Sequence, residues 1–410
     1  MNQEPADQSL SSTTKDSPSL PRTVRLLGVA SLLNDVASEM IFPLLPTFVI
    51  TVLGGSQTTL GLIEGSADSL SSLLKLGSGY WSDRLGNRRR FVFWGYAIAA
   101  LIRPTIAMMT APWQIGVARL VDRFGKGVRS APRDAMIADS SAPSERGRAF
   151  GFHRAMDHAG AAIGPLLATT FLWFWPGQLR TLFTLALLPG LVLLALLYFG
   201  LPNASEKPSR SPEDSPTATW SLKSFDFRFC GFLVALLLFT LGNASDAFLL
   251  VRAATLGVPA ALLPVLWCVF HMEKSFLSLK LGAAVDRIGA RSMISIGWAW
   301  YAVIYVLFAL STEAWHAWVL FLLYAPFYAF TEAAQKALVA ELVPVEKRGL
   351  AYGWFNATVG IGALPASLMF GALSDHFGPA TSFSAGAVLA VLATLLLQAV
   401  THSPRPARQS

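Results

Sequence analysis

Charge is scarce in this sequence: 14% of its 410 residues are Asp, Glu, Lys or Arg, while 53% are hydrophobic. Soluble globular proteins carry roughly 25% charged residues, and a folded surface needs enough polar groups to remain in water. The shortage excludes an ordinary soluble enzyme and a disordered chain, and the mean hydropathy of +0.49 agrees. Cysteine is scarcer still. Cys230 and Cys268 are the two present, both inside apolar runs, so buried, inert thiols are expected rather than a disulfide framework. Neither has metal-ligand company, and no His-rich helix motif suggests catalytic zinc, so no metal site is expected. A Gly-x4-Gly-Lys-Ser/Thr loop is missing, which leaves nucleotide-driven pumping by this chain without support. No nucleophile constellation stands out, so the chain reads as a non-enzyme with no cofactor beyond a proton gradient.

Long apolar runs fill the space. Residues 1–23 are polar and lack an apolar h-region, so they read as a disordered cytoplasmic tail rather than a signal peptide. Beyond them, apolar spans are expected near 25–53, 58–81, 91–110, 113–140, 149–175, 180–201, 227–251, 258–284, 293–312, 315–341, 350–374 and 380–401. Spread over twelve spans, the chain allows about 34 residues for each, one membrane helix plus a short loop. Residues 202–225 are rich in Pro, Ser and charge and read as a cytoplasmic linker. They separate an N-terminal six-helix bundle (24–201) from a C-terminal one (226–402), with a short tail at 403–410. The expected fold is an all-α membrane protein.

The 32 basic residues exceed the 25 acidic ones by seven, and they are unevenly placed. The breaks after even-numbered spans hold Arg84, Arg88, Arg89 and Arg90, then Arg146 and Arg148, Lys207 and Arg210, Arg287 and Arg291, and Lys347 and Arg348. The other breaks carry little beyond Arg180 and Arg252. By the positive-inside rule both termini and the even loops are cytoplasmic. The basic excess is therefore a topology signal, and nucleic acid is not an expected partner. The sequence also repeats itself. GYWSDRLGNRRR from Gly79 returns as GAAVDRIGAR from Gly282, and Leu53-Gly54 as Leu256-Gly257, each 203 positions later. RGRAFGFHRA from Arg146 meets RGLAYGWFNA from Arg348. Two related halves of parallel orientation are typical of alternating-access transporters.

These motifs resemble the Major Facilitator Superfamily over nearly the whole chain from Arg25. Gly79, Asp83, Arg84, Gly86, Arg88 and Arg89 match that family's helix 2–3 signature, with Asn87 where a basic residue is common. Gly282, Asp286, Arg287, Gly289 and Arg291 form a weaker second copy. Gly151, Gly160, Gly164 and Pro165 fit the helix 5 pattern of the antiporter branches, except that Ala168 and Thr169 replace a closing Gly pair. Arg119 and Arg123 precede Gly125 and Gly127, though neither has the family's spacing to both glycines. The resemblance implies two pseudo-symmetric six-helix bundles, a cytoplasmic latch and, from helix 5, export.

Ionisable groups inside apolar spans are costly, by a few kcal/mol each on insertion scales, and so point to function. Asp35 and Glu39 lie four apart on one helical face, roughly 15–21 Å into the membrane from Arg25 at about 1.5 Å per residue. Asn34 and Ser38 make a polar edge beside them. Two close carboxylates cannot both ionise cheaply in a medium of low dielectric, which suits a proton carrier. Glu64 and Asp68 repeat the spacing in the outer half of span 2, where a solvated vestibule is as good a reading. Arg119, Asp122, Arg123 and Lys126 could pair with the span 1 acids or bind an anionic substrate. Arg154, Asp157 and His158 add a further group, with His158 expected to partner Asp157. For Asp246, Glu273, Lys274, Glu332 and Lys336 mutual neutralisation is the leading reading, and Tyr324, Phe327 and Tyr328 read first as packing residues. In the latch, Asp83 would meet a helix N-terminus while Arg84 reaches Asp134 or Asp139, with Asp286 and Arg287 as the second copy.

The expected function is a secondary transporter moving a small solute by alternating access, with proton-coupled antiport (export) as the expected mode. The coupling site would be Asp35 and Glu39, tuned by Arg119 or Arg123. Its partners would be solute, protons and the lipid bilayer of a bacterial inner membrane, with a monomer as the working unit. A symporter or uniporter importing a nutrient or metal chelate is the nearest rival, and a transporter-like sensor the next.

Overall fold

The computed structural model describes residues 20–84, 87–141, 146–201, 222, 225–282, 287–344 and 347–401. These form helices without a strand among the described residues. In chain order they are α1 (Arg22–Val52), α2 (Gln57–Arg84), α3 (Arg88–Met108), α4 (Pro112–Asp139), α5 (Arg146–Phe174), α6 (Leu179–Gly200), α7 (Phe227–Thr255), α8 (Leu263–Gly282), α9 (Ala290–Leu310), α10 (Ala314–Leu342), α11 (Arg348–Phe377) and α12 (Pro379–Val400). Eight of them, α1, α3, α6, α7 and α9 to α12, are long and apolar enough to cross a membrane. The others, α2, α4, α5 and α8, run 20 to 29 residues, which at about 1.5 Å per residue is at least 30 Å.

The two halves share a local irregularity that the repeat explains. In α1 the regular α-helix ends at Glu39, and Pro43 and Pro46 then force a short 3-10 turn and a π segment to Val52. Proline lacks the N–H that continues an i→i−4 ladder, so irregular turns follow it. In α7 the regular helix ends at Gly242 and resumes at Ala247. Glu39 and Gly242 stand at the repeat spacing. So do Gly54 (φ 70°) and Gly257 (φ 97°), both in the left-handed region that glycine adopts without strain. Each half thus begins with a helix broken near its middle, and within a membrane irregular backbone persists where it is buried in protein or lines a cavity.

Packing fixes which ends meet. Arg88 at the start of α3 pairs with Asp139 at the end of α4, and Arg89 donates to the Tyr198 carbonyl near the end of α6 at 3.2 Å. Val24 and Leu197 share a core cluster there. At the opposite, far end, α2 of the first half meets α11 of the second so closely that a Cβ on Gly61 would overlap the Ser367 carbonyl, and one on Gly371 the Gln57 carbonyl. Asp375 accepts from the Gln57 N–H at 2.9 Å, the Thr58 N–H at 2.7 Å and the Thr58 hydroxyl at 2.6 Å. Ser374 donates to Gln57 Oε1 at 2.7 Å. Thr169 of α5 donates to the Ala261 carbonyl at 3.1 Å, and Ser69 to the Gly360 carbonyl. The halves are therefore joined from the far end towards the membrane centre. The C-terminal half is cored by aromatics, with Phe239 stacked on Trp298 at 4.6 Å and Tyr301 on Tyr305 at 4.0 Å.

Candidate functional site

The break in α1 delivers Asp35 and Glu39 to a cavity of about 230 Å³ between the halves, shared with Glu64, Asp68, Arg103, Lys126, Asp246 and Trp267. A second cavity of about 370 Å³ shares Asp68, Arg123, Lys126 and Asp246 with it and extends along α10 through Phe327, Tyr328, Thr331 and Glu332. The helix 5 glycines shape this site directly. A Cβ on Gly160 would come within 2.5 Å of the Leu32 carbonyl and 2.9 Å of Asp35 Cβ; one on Gly164 would come within 2.7 Å of the Val36 carbonyl and 3.0 Å of Glu39 Cβ. Bare glycine is what lets α5 support the backbone of the two acids. Pro165 lies within α5, while the packing of Gly151 falls outside the described residues.

The charged pairs differ from the sequence expectation. Arg119 does not reach the span 1 acids: it forks onto Glu64, Nε to Oε1 at 2.8 Å and Nη2 to Oε2 at 2.5 Å. It also lies 3.8 Å from Asp122. Arg123 lies 3.7 Å from Asp68. The acids of α2 are thus the partners of the α4 arginines, and Glu64 is buried rather than solvated. Neighbouring α2 and α4 present their charges at matching depth, whereas α1 is held against α5. Asp122 receives Arg103 Nε of α3 at 2.8 Å, and Arg103 also donates to the backbone carbonyl and side-chain Oδ1 of Asn34 at 2.9 and 3.0 Å. Arg129 reaches Asn34 Oδ1 at 3.3 Å and the Gly95 carbonyl at 3.2 Å, and lies 4.4 Å over the Tyr96 ring.

Asp35 and Glu39 have lighter company. Asn34 donates to Asp35 Oδ1 at 2.8 Å, and Trp267 of α8 donates its indole N–H to Glu39 Oε2 at 2.8 Å. Among the described residues neither acid forms an ion pair. Asn34 therefore bridges the arginines to Asp35, passing their polarity without a direct contact.

Other expectations are revised by geometry. Asp157 is approached by His153 at 3.5 Å, one turn back on α5, and not by the adjacent His158. Arg154 is exposed, and neither it nor His158 lines the two cavities. Lys274 pairs with Glu332 of α10 at 3.0 Å, where sequence proximity suggested Glu273. Asp246 accepts from Tyr324 at 2.9 Å and Tyr328 at 2.6 Å, so these tyrosines serve the cavity as well as the core. Asp134 is held by Arg133 at 2.9 Å. The expected latch residues Gly79, Asp83, Arg84, Gly86 and Asp286 lie outside the residues whose side chains are described, and Arg287 is exposed. Arg103, Arg129 and Trp267 are missing from the sequence-derived candidates. A lone Arg103 in an apolar span is a signal of its own. Trp267 offered none, because membrane tryptophans usually anchor at interfaces.

The sequence pattern of the Major Facilitator Superfamily matches residues 27–272 and 255–410. The chain belongs to this superfamily. An uncharacterized MFS-type transporter of Methanocaldococcus jannaschii is 33% identical over 398 residues, covering 96% of this chain and 98% of that one. The multidrug resistance protein MdtH of Photorhabdus laumondii is 30% identical over 161 residues, covering 38% of this chain and 40% of that one. A crystal structure of a variant of the nucleoside transporter NupG superposes with a TM-score of 0.80 at 13% identity, over 93% of this chain and all of that one, which shows the shared fold. The protein is an integral membrane MFS transporter of a small-molecule solute, and not an enzyme.

Proposed function

We propose that this MFS transporter is a proton-coupled antiporter that exports a small organic or amphipathic solute. In this reading all twelve helices cross a bacterial inner membrane, both termini are cytoplasmic, and one chain suffices. Asp35 and Glu39 exchange protons with whichever side the cavity faces. The observation that carries the reading is the contrast between them and their neighbours. Glu64, Asp68 and Asp122 each face an arginine, whereas the acids at the α1 break face the cavity without one. A buried carboxylate must be neutralised by a partner or a proton, and a proton can leave when the cavity changes sides.

The Trp267 bond ties Glu39 to the opposite half, so a change of charge on Glu39 acts on the contact between the bundles. Helix 5 packing and the partial likeness to MdtH support export. The test is flux in proteoliposomes under an imposed pH gradient. Asp35→Asn combined with Glu39→Gln should abolish gradient-driven flux while leaving solute exchange measurable. If gradient-driven flux persists in the double variant, the coupling assignment is wrong. If solute moves with the proton gradient rather than against it, the protein is a symporter.

A further inference from the structure

A second cluster, in the C-terminal half, has no part in the proton reading. Lys274 Nζ lies 3.6 Å from the centroid of the Tyr328 ring and 3.0 Å from Glu332 Oε1. The hydroxyl at the rim of that ring donates to Asp246, which Tyr324 also holds. Asp246, Tyr328 and Glu332 all line the 370 Å³ cavity, and Phe327 and Phe239 add apolar wall. An aromatic face with a carboxylate beside it is the chemistry that recognises an ammonium group, and it strengthens as water is removed. The chain's own Lys274 occupies it here.

Across the cavity, the arginines are engaged. Of those that line the first cavity, Arg103 binds Asp122 and Arg129 is spread over Asn34, a carbonyl and the Tyr96 ring, while Arg123 lies 3.7 Å from Asp68. An anionic solute would have to break the Arg103–Asp122 pair or the Arg129 contacts to use either guanidinium. A cation would meet Asp246, whose two oxygens accept one tyrosine hydroxyl each and keep further acceptor capacity.

We propose that Asp246, Tyr328 and Glu332 form a subsite for the cationic head of an amphipathic organic ammonium-type solute, and that Lys274 is a tethered stand-in displaced when the solute binds. The apolar body of the solute lies along Phe327 and Phe239. Lys274 then swings off the ring, so that the site stays neutralised whether or not it is loaded. This deepens the transporter reading of the same cavity and rests on it. Binding at equilibrium needs no gradient, so the titrations below report on the cation site even if the proton assignment fails.

The experiment is equilibrium binding of tetraphenylphosphonium, a cation whose charge does not titrate, to purified full-length protein in detergent. Tetraphenylborate, of the same shape and opposite charge, controls for partition into the micelle. Saturable binding of the cation is expected, without competition from the borate. Asp246→Asn should weaken it by about tenfold or more. Lys274→Ala removes the competing ammonium and should tighten it by about three- to tenfold. Tyr328→Leu should weaken it more than Tyr328→Phe, which keeps the ring. Thermal unfolding of each variant is read alongside, and should Asp246→Asn not fold, the Lys274 and Tyr328 variants still decide. Absence of saturable binding, equal binding of the borate, or weaker binding in Lys274→Ala would overturn the proposal.

Discussion

Trp267 of α8 donates its indole N–H to Glu39 Oε2 of α1 at 2.8 Å, a bond between the two halves at the turn where α1 loses its regular helix. The indole is also packed against Phe42 at 5.2 Å and Phe270 at 5.3 Å, so its position is fixed by rings as well as by the acid. One side chain thereby touches Glu39, the acid proposed for coupling, and contributes to the contact between bundles.

Trp267→Phe keeps an aromatic ring and removes only the donor. A hydrogen bond to a charged or buried acceptor contributes about 1–3 kcal/mol, so the conformation joined at the far end should lose population by about five- to 150-fold relative to the alternate one. Spin labels placed on either half at the far end, read by pulsed electron resonance, would report the change as a longer distance. An unaltered distance distribution would mean that the indole bond does not bias the conformational equilibrium.

Asp375 acts on the same equilibrium from the far end. It closes the last turns of α11 over the first N–H groups of α2, as a capping acid does within one helix. Caps of this kind contribute about 0.5–2 kcal/mol, and the helix dipole favours a negative charge at an N-terminus. Because this cap joins two halves, Asp375→Ala should open the far end rather than unfold it. Labelling of a cysteine placed at Ser56 by a membrane-impermeant maleimide should become several-fold faster. Labelling at the wild-type rate would show that the Gly61 and Gly371 contacts close that end unaided.

Much of this was legible in the sequence. The helices follow from the apolar runs, because membrane helices must satisfy their own backbone and so advertise themselves, and eight of them are long and apolar enough to cross a membrane. The position of Asp35 and Glu39 on one face follows from helical periodicity. The partners of the charges did not follow. Whether Arg119 meets Glu39 or Glu64 depends on how α4 is rotated and which helix lies beside it, and those are set by lateral packing such as Gly160 and Gly164 against α1. Pairing of Lys274 with Glu332 instead of neighbouring Glu273 has the same origin: consecutive residues on a helix point about 100° apart and do not face each other.

The fork of Arg119 onto Glu64 should be a stability element rather than a moving part. Removing one member of a buried ion pair leaves an uncompensated charge and costs about 3–5 kcal/mol, while replacing both by apolar groups is often neutral. Glu64→Leu and Arg119→Met alone should each lower the thermal midpoint sharply, and the double variant should recover most of the loss. A double variant as unstable as the sum of the singles would show that the pair is not the unit of stability.

The glycines of α5 test whether the acids of α1 are held in place by backbone contact. An alanine Cβ at position 164 would fall 2.7 Å from the Val36 carbonyl, closer than real Cβ atoms come to backbone, so α1 and α5 must move apart. Overpacking of this kind costs about 1–3 kcal/mol. Gly116 of α4 supplies the control, because its Cβ would meet nothing nearer than Ile63 Cγ1 at 3.5 Å, an ordinary contact. There the better helix propensity of alanine, about 1 kcal/mol over glycine, should prevail. Gly164→Ala should therefore lower the thermal midpoint and slow gradient-driven flux, since it shifts Glu39 from its place opposite Trp267, while Gly116→Ala should leave flux unchanged and stability equal or higher. Equal behaviour of the two variants would mean that close approach of α5 is not what positions Asp35 and Glu39.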